Sequence, residues 1–229
     1  MGILVNALAI VAGSLIGSFT KKKIGTGSFS IFGICVSIIS LVSFIENVFE
    51  VSEGELVGRS LYVVVISLVL GWGIGELLRL DCGLCAFCGK QNTRYSGLVD
   101  TVVFFGIGGL QICGPILLAV SGDSSQLYLK SAIDLPFSVM FGAIYGRSVA
   151  LSAIPVALVQ TVIAVSAYFL GDFISPDMLK GLCSVGYVIL FFSGFNMLVD
   201  ETKKIKSVNM LPAIFVVILI NLILPLLER

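Results

Sequence analysis

"SAIDLPFSVMFGAIYGRS", residues 131–148, carries one carboxylate, Asp134, and one guanidinium, Arg147, with twelve uncharged and mostly apolar residues between them. Pro136 stands two residues after the acid, and Gly142 and Gly146 are spaced four apart. Such a run belongs to a segment shielded from water, and the composition names the solvent. Of 229 residues, 57% are hydrophobic and only 12% charged, with a mean hydropathy of +1.08. A soluble domain carries about 25% charged residues. The composition therefore predicts an all-α, polytopic transmembrane helix bundle, one integral membrane domain over residues 1–229, with the lipid bilayer as its first partner.

Several functions fall away at once. The chain has no His, which excludes a histidine-based triad and a His-ligated metal. Its formal net charge is zero and no long basic run occurs, so a nucleic-acid partner is not expected. Neither GxSxG, nor the phosphate-binding GxxxxGK[ST], nor HExxH is present. No catalytic residue, resident metal or cofactor is therefore assigned, and the chain is not expected to be an enzyme.

Crossing the hydrocarbon core takes about 20 residues of helix. Eight stretches qualify: 2–19, 29–48, 61–79, 98–120, 131–147, 150–170, 181–199 and 208–226, of which the fifth is short. The first has no basic region ahead of it and runs into Lys21-Lys22-Lys23, as a retained span with a cytoplasmic anchor would, not a cleaved leader. With the N-terminus outside, the inner side collects Lys21, Lys22, Lys23, Arg79, Lys90, Arg94, Arg147, Lys203, Lys204 and Lys206. The outer side keeps Arg59, Lys130, Lys180 and Arg229. That asymmetry predicts eight spans with both termini outside.

A faint internal echo runs through the spans. "AGSLIGS" in the first, with Gly13 and Gly17, parallels "FGAIYGRS" in the fifth, with Gly142 and Gly146. Pro115 and Pro225 fall late in the fourth and eighth. These features are compatible with a two-fold repeat of halves 1–120 and 131–229, a known transporter design, although Gly at this spacing also serves ordinary helix packing.

Polar groups inside spans are costly, about 2.5–3.5 kcal/mol for a mid-membrane charge on insertion scales, so they usually face a cavity or a partner. They are Asn6, Asp100, Gln111, Asp134, Arg147, Gln160, Asn196 and Asn221, with Glu76 near a span end. Asp134 lies one turn from Lys130, which can neutralise it. Pro136 predicts that the helix either starts near 135, with Asp134 as its N-cap, or is broken there. If that start lies inside the protein, the carboxylate lines a polar cavity with Asn6, Gln111 and Gln160. There the helix end and Lys130 favour its charge and loss of water opposes it. The fourth span, "FFGIGGLQICGP", is weakened by Gly106, Gly108, Gly109, Gly114 and Pro115 around Gln111, as broken helices at transporter sites are, or as closely packed small residues would be. The candidate ion- or solute-binding residues are thus Asp134, Asn6, Gln111, Gln160, Lys130 and Glu76.

"DCGLCAFCGK" places Cys82, Cys85 and Cys88 at steps of three, a spacing shared with iron–sulfur ligands. No fourth ligand completes a site, and an interfacial helix with small apolar residues accounts for the run.

"VNALAIVAGSLIGSFTKKKI", "LVLGWGIGELLRLD", "KSAIDLPFS" followed by "SAIPVALVQ", and "NMLPA" together resemble the bacterial DUF554 family of integral membrane proteins, the YdfK/YqgA type. The resemblance covers nearly the whole chain and implies recurring positions at Asn6, Gly13, Gly17, Glu76, Lys130, Asp134, Gln160, Asn209, Leu211 and Pro212. Leu135-Pro136 and Gly146-Arg147-Ser148-Val149 depart from its pattern. It implies a bacterial inner membrane and supplies no substrate. The leading expectation is a small transporter or channel for an ion or small polar solute, with a polar cavity around Asp134. The alternative is a membrane-embedded scaffold or partner subunit without transport of its own. Homodimerisation is expected, since eight short helices make a thin wall around a pathway.

Overall fold

A computed structural model describes residues 1–20, 26–48, 50–52, 55–57, 59–80, 101–102, 104–106, 109–200 and 203–227. Among these residues the chain forms eight α-helices: α1 (Gly2–Thr20), α2 (Thr26–Val48), α3 (Arg59–Leu77), α4 (Gly109–Ser121), α5 (Ser125–Tyr145), α6 (Ala153–Phe169), α7 (Pro176–Phe195) and α8 (Ala213–Leu227). Residues 101–102 and 104–106 are also helical. The only described strands, Glu50–Ser52 and Glu55–Val57, pair antiparallel as a minimal hairpin between α2 and α3. The helical bundle expected from composition is what the chain forms. Four stretches are long and apolar enough to cross a membrane: Gly2–Thr20, Ser30–Val48, Ser125–Phe169 and Pro176–Phe195. Shorter apolar helices cover Leu61–Leu77, Gly109–Ser121 and Ser207–Ile223.

The bundle is apolar on its outside. Leu4, Leu8, Phe19, Ile31, Val69, Leu158, Phe169 and Phe215 are exposed, while Asn6, Gln111, Lys130, Asp134 and Gln160 are buried. In water this distribution would be ruinous, because burying polar groups costs energy and exposing apolar ones gains nothing. In lipid the outer face needs no shielding, and polar groups are driven inward. Serine and threonine hydroxyls follow the same rule. Ser40, Ser121, Ser131, Ser193, Thr20 and Thr161 each donate to the carbonyl four residues back in their own helix.

The chain divides into two compact units that interleave in sequence. One comprises Met1–Ser28 and Cys85–Phe173, the other Phe29–Leu84 and Ile174–Arg229, so each draws on both the 1–120 and 131–229 segments. In the first unit α1 packs along α5. A Cβ on Gly13 would meet Ser138 Cβ at 2.7 Å, and one on Gly17 would run into the carbonyl of Val139. Gly142 on α5 meets the backbone of Ser14 in the same way. Gly2 lies against Leu127, so the contacts advance together along both helices, and α1 and α5 run parallel. The two small-residue segments that echo one another in sequence are thus packed against each other. Gly146 does something else: it ends α5 at φ 78°, the left-handed region that glycine enters without strain.

In the second unit α2 runs antiparallel to α7. Gly33 abuts Gly194 at one end, and Asn47 donates to the Lys180 carbonyl and the Ser184 hydroxyl, both at 2.7 Å, at the other. Gly71 and Gly75 of α3 meet the backbone of Ala213 and Asn209, which makes α3 antiparallel to α8.

Asp134 is not a helix N-cap. α5 begins nine residues earlier, at Ser125, and continues through Pro136. The start signal is "GDSS" at 122–125. Gly122 turns the chain at φ 74°, and Asp123 accepts from both the backbone N–H and the hydroxyl of Ser125, each at 2.8 Å. Ser124 is the N-cap, without a side-chain cap bond, and this Asp123 turn just before it sets the helix start upstream of the proline, whose missing N–H costs the helix one internal bond and is tolerated where neighbouring helices enclose it. A second correction follows: Lys130 is a buried residue of α5, not part of an outer loop. Likewise Pro115 sits inside a continuous α4. Asn196 is not a mid-span group. It stands at the C-cap of α7, where its amide donates to the Ile205 carbonyl at 2.6 Å and accepts from the Ile205 N–H at 2.8 Å, closing the loop before α8.

Candidate functional site

Asp134 and Lys130 lie on one face of α5, a turn apart, with Nζ 2.9 Å from Oδ2. Both side chains are nearly sealed from solvent, at 5% and 7% exposure. The lysine also donates to the backbone carbonyl of Phe105, at 3.1 Å. Its ammonium therefore has two oxygen partners, the carboxylate and a main-chain carbonyl from the 104–106 segment. Phenyl rings close over this region. Phe104 lies 4.9 Å from Phe137 and 5.0 Å from Phe141, and Phe105 lies 6.0 Å from Phe141, centroid to centroid.

The amide of Asn6, carried by α1, faces the Asp134 carboxyl. It is wholly buried, and neither its Nδ2 nor its Oδ1 completes a hydrogen bond among the described residues. Ser138, one turn beyond Asp134 on α5 and turned toward α1 at Gly13, is also fully buried with an unpartnered hydroxyl. A buried polar group without a partner costs about 1–3 kcal/mol, and natural proteins keep such groups where an ion, a water or a function uses them.

Gln111 and Gln160 form a separate buried link between α4 and α6. Gln160 Nε2 donates to Gln111 Oε1 at 3.0 Å, and Gln111 Nε2 donates to the Val156 carbonyl at 3.2 Å. The Gln160 carbonyl oxygen is left buried and unpartnered. The first unit thus holds five of the six candidate residues in two polar groups, Asn6–Lys130–Asp134 and Gln111–Gln160, and no described hydrogen bond joins them.

Glu76 keeps other company. It belongs to the second unit, where Oε1 lies 2.9 Å from Lys206 Nζ and Oε2 accepts from Asn209 Nδ2 at 2.7 Å. The pair with Lys206 is nearly half exposed. The Lys206 partnership could have been anticipated from the basic stretch assigned to the same side of the membrane, and Asn209 from its place in the family pattern. Gly75 enables it by letting α3 touch the Asn209 backbone. The polar contacts that the sequence did not suggest are Ser138 and the Asn47–Ser184 bond. Both look like ordinary small polar residues in apolar helices, and only packing distinguishes them. Arg147 is exposed, with its guanidinium 5.2 Å from the Phe19 ring centre. Asn221 donates to Val217 in its own helix at 2.8 Å. Cys82, Cys85, Cys88 and Asp100 lie outside the described residues.

The family model "Protein of unknown function (DUF554)" matches residues 1–222. This chain belongs to the DUF554 family. Among its relatives are the uncharacterized membrane protein YdfK of Bacillus subtilis (strain 168), 24% identical over 217 residues, spanning 94% of this chain and 93% of YdfK. The uncharacterized protein YqgA of Escherichia coli (strain K12) is 24% identical over 231 residues, spanning 93% of each chain. No solved structure matches significantly. With its apolar helices and these DUF554 relatives, the chain is a membrane protein. The positions behind the DUF554 resemblance sort by unit: Asn6, Gly13, Gly17, Lys130, Asp134 and Gln160 in the first, Glu76, Asn209, Leu211 and Pro212 in the second.

Proposed function

We propose that this chain is a small transporter or channel for an ion or small polar solute, and that the Lys130–Asp134 pair with Asn6 is its binding centre. One observation carries the reading: a charged pair and an unpartnered amide are buried together inside an apolar membrane unit. A structural ion pair gains little there. Desolvation costs several kcal/mol per ion, and an apolar pair of the same volume is often as stable. Ionisable groups retained inside a membrane bundle usually mark a substrate or ion path. Burial on all sides fits a site closed to both faces, one stage of alternating access.

The setting we propose is the bacterial cytoplasmic membrane, crossed eight times with both termini outside. Helix directions support it. Spans one and five pack parallel, whereas two and seven, and three and eight, pack antiparallel. That is the pattern eight alternating crossings require. In this reading α4 belongs to a crossing, since parallel α1 and α5 need an odd number of spans between them.

The test is a flux screen in proteoliposomes covering alkali cations, protons and small charged or zwitterionic solutes. Saturable uptake of one probe supports transport. Uptake no higher than in protein-free vesicles for every probe would favour the scaffold reading, in which the same residues merely join helices.

A further inference from the structure

The Lys130 ammonium sits where a cation would. Its two partners are a carboxylate and a backbone carbonyl, hard oxygen donors of the kind that take alkali cations. Two further oxygens are buried nearby with nothing to bind, the carbonyl of the Asn6 amide that lies beside the Asp134 carboxyl and the Ser138 hydroxyl one turn along the same helix. Both residues are fully buried. A proton exchanging on Asp134 makes one O–H donor and needs one acceptor, which leaves the remaining neutral oxygen unused. A metal ion needing several oxygen ligands would. A divalent ion normally recruits more than one carboxylate, whereas this group has one carboxylate with an ammonium already against it.

We propose that Asp134, the Phe105 carbonyl, Asn6 and Ser138 form a site for a small monovalent cation of the sodium class, with Lys130 as its tethered competitor. Ion arrival displaces the ammonium from Asp134, and ion departure lets it return, so the carboxylate never remains buried without a positive partner. The carboxylate exchanges one positive partner for another, while the displaced ammonium stays tethered to α5, so the site carries one net positive charge as long as the ion is bound. This deepens the transport reading by naming its ion. It depends on that reading for movement across the membrane, but not for binding.

The test is thermal unfolding of the purified full-length chain in detergent, titrated with sodium chloride against choline chloride at constant ionic strength. Because ligand binding to the folded state raises its stability with ligand concentration, sodium should raise Tm progressively above the choline value. Lys130→Met should lower Tm in choline and show a larger sodium-specific rise than the wild type, since the competitor is gone. Asp134→Asn should lose the rise. Ser138→Ala, a small change that keeps the fold, should unfold like the wild type in choline and respond to sodium only at higher concentration. Equal Tm in sodium and choline for both the wild type and Lys130→Met would overturn the proposal, as would an undiminished sodium response in Ser138→Ala and Asp134→Asn together. Sodium-specific stabilisation without flux of any probe would leave the cation site standing and remove the transport reading. Flux without sodium-specific stabilisation would do the reverse.

Discussion

Lys130 Nζ and Asp134 Oδ2 lie 2.9 Å apart on adjacent turns of α5, in a unit whose outer surface is apolar. The pair is neutral as a whole but cannot be halved cheaply. Removing one member of a buried pair typically costs about 3–5 kcal/mol, because the other charge is left without compensation. Lys130→Met should therefore lower Tm markedly in sodium-free buffer, and the double variant Lys130→Met/Asp134→Leu should recover most of the loss. A Lys130→Met protein as stable as the wild type without sodium would mean that the carboxylate is not truly buried.

The glycines of the α1–α5 contact make a sharper structural prediction. Gly17→Leu puts a side chain where the Val139 carbonyl stands, and α1 must move away from α5. We expect a large loss of Tm or aggregation. Gly73→Ala is the control, since nothing lies within 4 Å of a Cβ there. It should be neutral or stabilising by about 0.5–1 kcal/mol, the usual helix-interior gain over glycine. Equal effects at both positions, read by thermal unfolding, would contradict the close parallel packing.

Much of the fold was readable because lipid makes composition decisive. The apolar runs, the basic residues between them and the small-residue spacing of Gly13 and Gly17 all follow from one solvent rule. The start of α5 was misread because Pro136 is a loud signal and "GDSS" a quiet one. A proline predicts a helix start only if nothing upstream starts the helix, and the Asp123–Ser125 turn does. The site was half legible. A lone Asp near a Lys in an apolar run points to itself, and the Asn6 partnership was within reach because few polar residues compete. That Gln111 pairs with Gln160, and that Glu76 lies in a different unit from the other candidates, depends on which helices pack together, which spacing along one chain does not encode.

Topology can be checked chemically. In a cysteine-free background, Asp123→Cys should react with a membrane-impermeant maleimide added to intact cells. Arg147→Cys, at the other end of α5, should react only after permeabilisation. Both native residues are exposed, so burial does not confound the comparison. The reverse labelling pattern would invert the proposed orientation.

Cys82, Cys85 and Cys88 are expected to hold no structural metal, as no further residue in the sequence completes a ligand set. Chelator treatment of the purified protein should leave Tm unchanged, because a structural metal contributes folding energy that its removal would expose. A clear drop in Tm, reversed by adding back one metal, would restore the metal-site reading.

The central claim is that the buried Asp134 centre moves a ligand across the membrane. The most direct measurement compares uptake by proteoliposomes bearing wild-type protein and bearing Asp134→Asn, both reconstituted from monodisperse preparations at equal density. Radiolabelled sodium is the first probe. The account predicts saturable uptake by the wild type and uptake at the protein-free level by Asp134→Asn. Full uptake by a well-folded Asp134→Asn protein would contradict it and leave Asp134 with a purely structural place in the fold.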